Sequence, residues 1–364
     1  MLSLRSRSLK LHWPLLASLF ALAALSLWNL SGSISAHHAD IVRGQCIWLF
    51  LGGAVFWVVA SLDAQIVRRW SPVAYGGVLA LLTLVLIIGK RVNGSRRWLD
   101  LGLFTLQPSE LAKVAVILML AAYLCRRQST NPLGYRELSS IGILLAIPSF
   151  LIFREPDLGQ TLLLLLTSGT MLCIEPIKRQ ALWLVGGLGF LLAPLIWRFV
   201  LHDYQIGRIL TLLDGSADRL GSGWHARQAE IAVGHGGWLG QGHGLGSQIS
   251  GGFLPEHHTD FVFAKLSEEH GFLGGSLLLL LYLSLLLSIL HCAKGARDRF
   301  SLQVSLGVAA MFFWHIVLNV GMVLGLLPVT GVTLPLMSYG GSSVVTMMLS
   351  LGLVMGCHLH QRRV

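Results

Sequence analysis

Charge is scarce in this chain. Asp, Glu, Lys and Arg together make up 12% of its 364 residues, about half the share usual in a soluble domain, and those few cluster between apolar runs. That distribution excludes an ordinary soluble core. Cysteine is also sparse: Cys46, Cys125, Cys173, Cys292 and Cys357 are odd in number, far apart and never spaced as CxxC, so neither a disulfide framework nor a zinc motif is indicated. The glycine run at Gly240, Gly242, Gly244 and Gly246 lacks the GxGxxG spacing and a strand–turn–helix setting, which removes the dinucleotide-binding reading. It is compatible with a flexible loop, or with amides approaching a phosphate. Acids are fewer than bases, leaving a net charge of +10 and a pI of about 9.8. Because the basic residues flank apolar segments, membrane topology and lipid headgroups account for them, and no nucleic-acid partner is expected.

Long hydrophobic runs are what the chain has. Hydrophobic residues reach 54% and mean hydropathy is +0.69. A membrane span needs roughly 20 mainly apolar residues. Such runs lie near 12–31, 45–62, 72–89, 107–125, 139–153, 158–174, 180–201, 271–293, 301–327 and 337–357. The expected fold is therefore all-α: a polytopic integral membrane protein of about ten transmembrane helices, with residues 1–364 forming one membrane domain. The basic start (Arg5, Arg7, Lys10) resembles a signal peptide, but the first run is long enough to span and more follow.

Lys and Arg in the short connections set the orientation. Arg68, Arg69, Arg126, Arg127, Arg136, Lys178, Arg179, Lys294, Arg297 and Arg299 all fall on the side that holds both termini, which reads as cytoplasmic. One outer connection disobeys, with Lys90, Arg91, Arg96 and Arg97 in eight residues. Either nearby acids such as Asp100 balance it, or it meets an anionic ligand. The long outer loop between the seventh and eighth helices, about 202–270, is rich in Gly and His but anchored by Trp224, Trp238, Phe253 and Phe261. A loop of that length in a compact protein is usually functional or disordered, and these anchors argue against full disorder.

Several residues in these connections could carry chemistry. Asp260 stands at the edge of an apolar stretch, where desolvation raises a carboxylate's pKa and suits it to general-base work. Alternatively, Thr259 or Asp260 caps the next helix. Glu268 falls two turns further along on a similar face. His257 or His258 could tune such a base or touch phosphate; adjacent histidines point apart, so no metal is assigned from them. Glu110 and Lys113 are three apart at the start of a span opened by Pro108, and Arg154 and Asp157 flank Pro156. Ionisable groups there are either structural pairs or line a substrate cavity. Residues 328–343, with two prolines and Gly340-Gly341, read as a broken or re-entrant segment that forms a site wall.

Taken together these segments resemble the SEDS family (shape, elongation, division and sporulation), which includes RodA and FtsW. The resemblance rests on Arg97-Trp98-Leu99-Asp100-Leu101-Gly102, Gln107-Pro108-Ser109-Glu110-Leu111-Ala112-Lys113, Glu155-Pro156-Asp157-Leu158-Gly159, Leu254-Pro255-Glu256, Thr259-Asp260-Phe261, Glu268-Glu269, Asn319-Val320-Gly321-Met322 and Ser338-Tyr339-Gly340-Gly341-Ser342. It covers almost the whole chain, and Leu327-Pro328-Val329-Thr330-Gly331-Val332 is more similar to RodA than to FtsW. Thr333, Lys265 and His270 depart from the family pattern.

The resemblance implies ten helices, a long loop between helices seven and eight, and peptidoglycan glycosyltransferase activity on lipid II at the outer face of the bacterial cytoplasmic membrane. It implies that Asp260 is the essential carboxylate. The residues expected around lipid II and the undecaprenyl-pyrophosphate-linked glycan are Arg91, Arg96, Arg97, Glu110, Lys113, Asp157, Arg208, His258, Ser338, Tyr339 and Ser342. The implied partners are a class B (monofunctional transpeptidase) penicillin-binding protein and the elongation machinery. No organic cofactor is expected, and a divalent cation (Mg or Mn) could assist the leaving diphosphate. A lipid II flippase and a non-catalytic scaffold for a penicillin-binding protein stay open as alternatives. Neither needs a base at Asp260.

Overall fold

The computed structural model describes residues 11–32, 38–92, 95–100, 102, 104–127, 131–195, 198, 205–208, 210, 222–254 and 256–360. Ten apolar helices carry the fold: α1 Trp13–Ser31, α2 His38–Ala60, α3 Ala64–Ile88, α4 Pro108–Arg126, α5 Tyr135–Arg154, α6 Leu158–Cys173, α7 Arg179–Leu195, α10 Val262–Lys294, α11 Arg299–Val323 and α12 Gly341–His360. Eight have the length and composition to cross a membrane; α6 is a shorter apolar helix and α7 spans 17 residues. Two polar-side helices, α8 Ser222–Gly236 and α9 Ser247–Ser250, lie in the long connection, and β1 Lys90–Val92, β2 Ser95–Asp100 and β3 Thr105–Leu106 form a small antiparallel sheet between α3 and α4.

Three of the few acids begin helices. Asp63, Asp157 and Asp298 each accept the backbone N–H of a first-turn residue, Gln65, Gln160 and Ser301, satisfying amides that the helix leaves open. Helices α4, α11 and α12 are buried over most of their length, whereas α2, α3 and α5 turn most of theirs outward. The core is apolar and continuous, with Leu22, Phe56, Ile117, Tyr282, Phe312 and Met347 each at most 2% exposed. Helices α2 and α12 pack so closely that a Cβ on Gly352 would sit 2.7 Å from the Phe56 carbonyl oxygen, the backbone approach that small residues permit in membrane bundles.

Counting crossings places the site. Every connection after an odd-numbered crossing emerges at one end of the bundle. Those connections are the one between α1 and α2, the β-sheet, residues 155–157, the long segment before α10, and residues 324–340. The motif-bearing segments scattered through the sequence therefore share one end.

Two boundaries differ from expectation. The eighth crossing begins at Val262 rather than near 271, because α10 is a 33-residue helix broken at Gly271, whose φ is +64° and ψ −161°. Neither Thr259 nor Asp260 caps it: the N-cap is Phe261 without a side-chain bond, and Thr259 donates to Glu256 instead. The break explains the glycine run. The Glu268 and Glu269 carbonyls accept from the Gln241 and Gly242 amides, and the Phe272 and Leu273 amides donate to the Gly237 and Trp238 carbonyls. Amides 241 and 242 are consumed by this docking and are not available to a phosphate.

Gly271→Ala is expected to destabilise the protein by about 2 kcal/mol or more, from left-handed backbone strain and from overpacking, since a Cβ there would meet the backbone of Trp238, Leu239 and Gly240. Gly169→Ala, facing open space in α6, should leave thermal unfolding in detergent unchanged. Equal melting of the two variants would refute the docking account.

Candidate active site

Arg97 leaves β2 and is fixed by backbone oxygens: its Nε donates to the Glu155 carbonyl at 3.0 Å and its Nη2 to that of Pro156. Its Nη1 lies 3.6 Å from Asp157 Oδ2. Asp157 also accepts from Gln107 Nε2 (3.4 Å) and from the Gln160 amide (3.2 Å). Gln160 Nε2 reaches Glu110 Oε1 at 2.7 Å, Lys113 Nζ reaches Glu110 Oε2 at 3.0 Å and His315 Nε2 at 2.9 Å, and His315 Nδ1 donates to the Met311 carbonyl. A polar chain thus runs from the mouth of the bundle inward across α4, α6 and α11. Glu110 and Lys113 have side chains only 1% and 0% exposed, and every contact they make in this chain is to protein.

Asp260 sits immediately before α10. Its carbonyl accepts from Asn319 Nδ2 (2.9 Å), and the same amide nitrogen holds the Val332 carbonyl (2.7 Å), so one side chain ties the acid to the 324–340 connection. The Asp260 carboxylate keeps some access to solvent, but the atoms around it are mostly protein. Burial first, then Glu256, pushes it up to about 6 against the pull of Arg208, with smaller opposing effects from Asp157 and Arg97. Arg208, held by the Val329 carbonyl at 3.1 Å, and Arg97 line a narrow cleft of ≈ 40 Å³ with Asp157, Gln205 and Thr330. The electrostatic setting is an acid of near-neutral pKa beside two guanidinium groups. Glu155 is buried with neither carboxyl oxygen hydrogen-bonded. Burial and then Asp157 push it up to about 9 against the pull of Arg97, which keeps it neutral near pH 7.

The remaining expected residues separate into groups. Arg96 lies apart, its guanidinium on the Leu86 and Ile87 carbonyls at the end of α3. Arg91 pairs with Arg96 through the backbone of β1 and β2, and its side chain lies outside the described residues. Lys90 is balanced by Asp100 at 3.1 Å. His258 is held below its ordinary value, chiefly by burial and also by Lys265, against Glu256, and so is a neutral hydrogen-bonding group rather than a fixed cation. Its carbonyl accepts from the Tyr339 amide. Ser338 Oγ accepts from the Leu334 amide at 2.8 Å, and Ser342 Oγ joins the Gln107 amide to the Thr105 carbonyl; both fasten the wall. Glu268 does not join Asp260: it accepts from Ser247 and the Gln248 amide on the long connection. Gln160, His315 and Asn319 were missed as participants. The available signal was polarity inside an apolar helix, which is costly unless a partner is supplied. No group of three metal-binding side chains converges on Asp260 among the described residues.

Fold and site together define a polytopic membrane protein with an acid–guanidinium centre at one end of a ten-helix bundle. The family model described as cell cycle protein, FtsW/RodA/SpoVE, matches residues 8–363, and this chain belongs to that family. Peptidoglycan glycosyltransferase MrdB of Escherichia coli (strain K12) is 36% identical over 350 residues, 96% of this chain and 92% of that protein. A chain from a peptidoglycan synthase complex, in a structure concerned with coordination of polymerization and crosslinking, superposes with a TM-score of 0.83 at 30% identity, covering 97% of this chain and 98% of that one. Rod shape determining protein RodA of Thermus thermophilus gives 0.72 at 28% identity, with the same coverage.

Lys113→Met is expected to cost about 3–5 kcal/mol, because Glu110 would stay buried and charged without its partner. The double variant Glu110→Gln/Lys113→Met should cost clearly less than the sum of the two single changes in detergent unfolding. Strict additivity would mean that the pair is not coupled.

Proposed function

We propose that this protein is a peptidoglycan glycosyltransferase that polymerises lipid II into β-1,4-linked glycan during cell elongation, with Asp260 as general base. The arrangement that carries this reading is a largely buried carboxylate, pushed up to about 6, within electrostatic reach of Arg208 and Arg97, the two guanidinium groups that line one narrow cleft. The acceptor is the 4-hydroxyl of the GlcNAc of lipid II. Its oxygen attacks C1 of the donor glycan, its proton passes to the Asp260 carboxylate, and the C1–O bond to undecaprenyl pyrophosphate breaks on the opposite face, inverting the anomeric centre. A hydroxyl with a pKa far above neutral needs a base during attack, and a base works best when its own pKa lies near the working pH. The departing diphosphate gathers negative charge and needs positioned cations. Arg97 and Arg208 suit that task because backbone carbonyls help to fix their place at the cleft.

The cleft holds about three waters by the usual measure, so a diphosphate engages it only after its lining, such as Gln205 and Arg208 or Pro156 and Asp157, moves aside. Asp157, which lines the cleft, is already engaged by Arg97, Gln107 and the Gln160 amide, so a Mg or Mn ion would be carried chiefly by the substrate's phosphates, and no step here requires it. The sealed Glu110–Lys113–His315 chain serves to hold the mouth in shape. The Lys and Arg of the other short connections support an orientation with both termini in the cytoplasm of a bacterial cell and the site on the outer face of its cytoplasmic membrane. The likeness to a chain of a peptidoglycan synthase complex supports a class B penicillin-binding protein as partner, with the elongation machinery around it.

The test is polymerisation of purified lipid II by the detergent-solubilised protein with its cognate transpeptidase. Wild type should make long strands, and Asp260→Ala, matched for folding and partner binding, should make none. Since only the deprotonated acid accepts the proton, the rate should fall about tenfold per pH unit once the pH drops below about 6. Strands from Asp260→Ala at the wild-type rate would remove the base assignment. A wild type that makes none beside its authentic partner would favour the flippase or the scaffold.

A further inference from the structure

Outside the site described above, His243, Glu269 and His270 bring one potential ligand atom each to within 4.8 Å of one another. Three elements meet here: the end of α1, the glycine run, and the last turn of α10 before its break. Glu269 is 1% exposed, and the donors that reach its carboxylate, the Lys265 ammonium and the Gly244 amide, do so with imperfect geometry. Oε2 faces His243 Nδ1 at 3.3 Å, and Oε1 faces Lys265 Nζ at 3.8 Å. A carboxylate so deeply placed is costly unless something compensates it, and one ammonium at that distance does so only in part, because it spends its shortest bond on the Asn29 carbonyl.

The geometry points to a divalent transition-metal site, best suited to Zn²⁺, with His243 Nδ1, Glu269 Oε2 and His270 Nε2 as its three protein ligands and a fourth position left to solvent. Two imidazoles and a carboxylate are a zinc donor set. Two atoms each bound about 2.0–2.1 Å from a tetrahedral zinc lie about 3.3 Å apart, which is the His243–Glu269 separation. The other ring nitrogen of His243 is turned toward an acceptor, as metal-bound histidines require: Nε2 faces Ser31 Oγ at 3.4 Å, and the His270 ring interacts with the Leu266 carbonyl one turn back. Gly32 keeps the space clear, since a Cβ there would lie 2.8 Å from both Glu269 Oε2 and His243 Nδ1. Trp28 stacks on His243 at 4.4 Å between ring centroids and donates its indole N–H to His270 Nε2 at 3.1 Å. Metal binding exchanges that N–H for the ion and so alters the indole's surroundings. His270 is also one of the positions at which this chain departs from the family pattern. The metal would clamp the glycine run and α1 onto the segment of α10 that begins just after Asp260. The proposal does not depend on the assigned reaction.

The test uses the full-length protein in detergent, purified without a histidine tag, stripped with EDTA and presented with ZnCl2 alone. Wild type should retain one zinc per chain on elemental analysis, its thermal midpoint should rise with zinc concentration, and its tryptophan emission should change. His243→Ala, on a partly exposed loop residue, and His270→Ala should lose the zinc and the shift. His243→Cys should recover both, and His235→Ala, outside the cluster, should match wild type. Trp28→Phe should keep the zinc and lose the emission change. Should His270→Ala fail to fold, the His243 pair decides alone. Wild type binding no more zinc than His243→Ala, or shifting its midpoint equally, overturns the proposal.

Discussion

Between α11 and α12 the chain runs for seventeen residues without a helix, and its deeper part, Val332 and residues 334–338, is buried in a bundle that offers its carbonyls little water. Each unsatisfied group at such depth costs several kcal/mol, and the molecule answers with side chains from four helices. Asn319 of α11 holds the Val332 carbonyl, Tyr282 of α10 holds that of Pro335, Ser26 of α1 holds that of Met337, and Gln45 of α2 holds that of Ser338. This obligation explains polar residues that would otherwise look misplaced in apolar helices. It also positions the site, because Asn319 satisfies Val332 and Asp260 with one amide.

The break in α10 is the same constraint met a second time. A helix interrupted at Gly271 leaves carbonyls and amides open on either side, and the glycine run supplies complementary partners for both. Glycine is required where backbone meets backbone: a Cβ on Gly236 or Gly240 would collide with the main chain of α10. The run is thus a docking strip whose composition is set by contact distance. That shared geometry places the glycine run, α1 and residues 268–270 in one assembly.

Much of the architecture was legible in the sequence because apolar length and loop charge are local properties. Ten runs became ten helices, and the motif segments fell at one end as the parity of crossings demands. What sequence could not divide was the work of the cations in the 90–97 connection. Spacing alone treats Lys90, Arg96 and Arg97 alike, whereas the antiparallel register turns Arg96 onto α3, leaves Lys90 to Asp100 and sends only Arg97 to Asp157. The pairing of Glu110 with Lys113 was readable from an i,i+3 spacing. Their third and fourth partners, Gln160 and His315, come from helices 50 and 202 residues away, and no local pattern carries that information. The same holds for His243 and His270, which only the helix break brings together.

The difference between Lys113 and Arg97 follows from what faces each of them. Lys113 has a carboxylate at 3.0 Å and an imidazole at 2.9 Å, so its charge is already answered inside the bundle and exerts little pull at the mouth. Arg97 is held mainly by two carbonyls, which orient the guanidinium without neutralising it, and the carboxylate it could pair with lies further off at 3.6 Å and is shared with Gln107. Asp157 is itself held above the ordinary carboxylate range, first by burial, against the pull of Arg97, and Glu155 beside it is neutral. Two acids next to one guanidinium would cancel its charge in water. In this buried turn desolvation weakens that cancellation, and Arg97 together with Arg208 lines the cleft and draws on the Asp260 carboxylate.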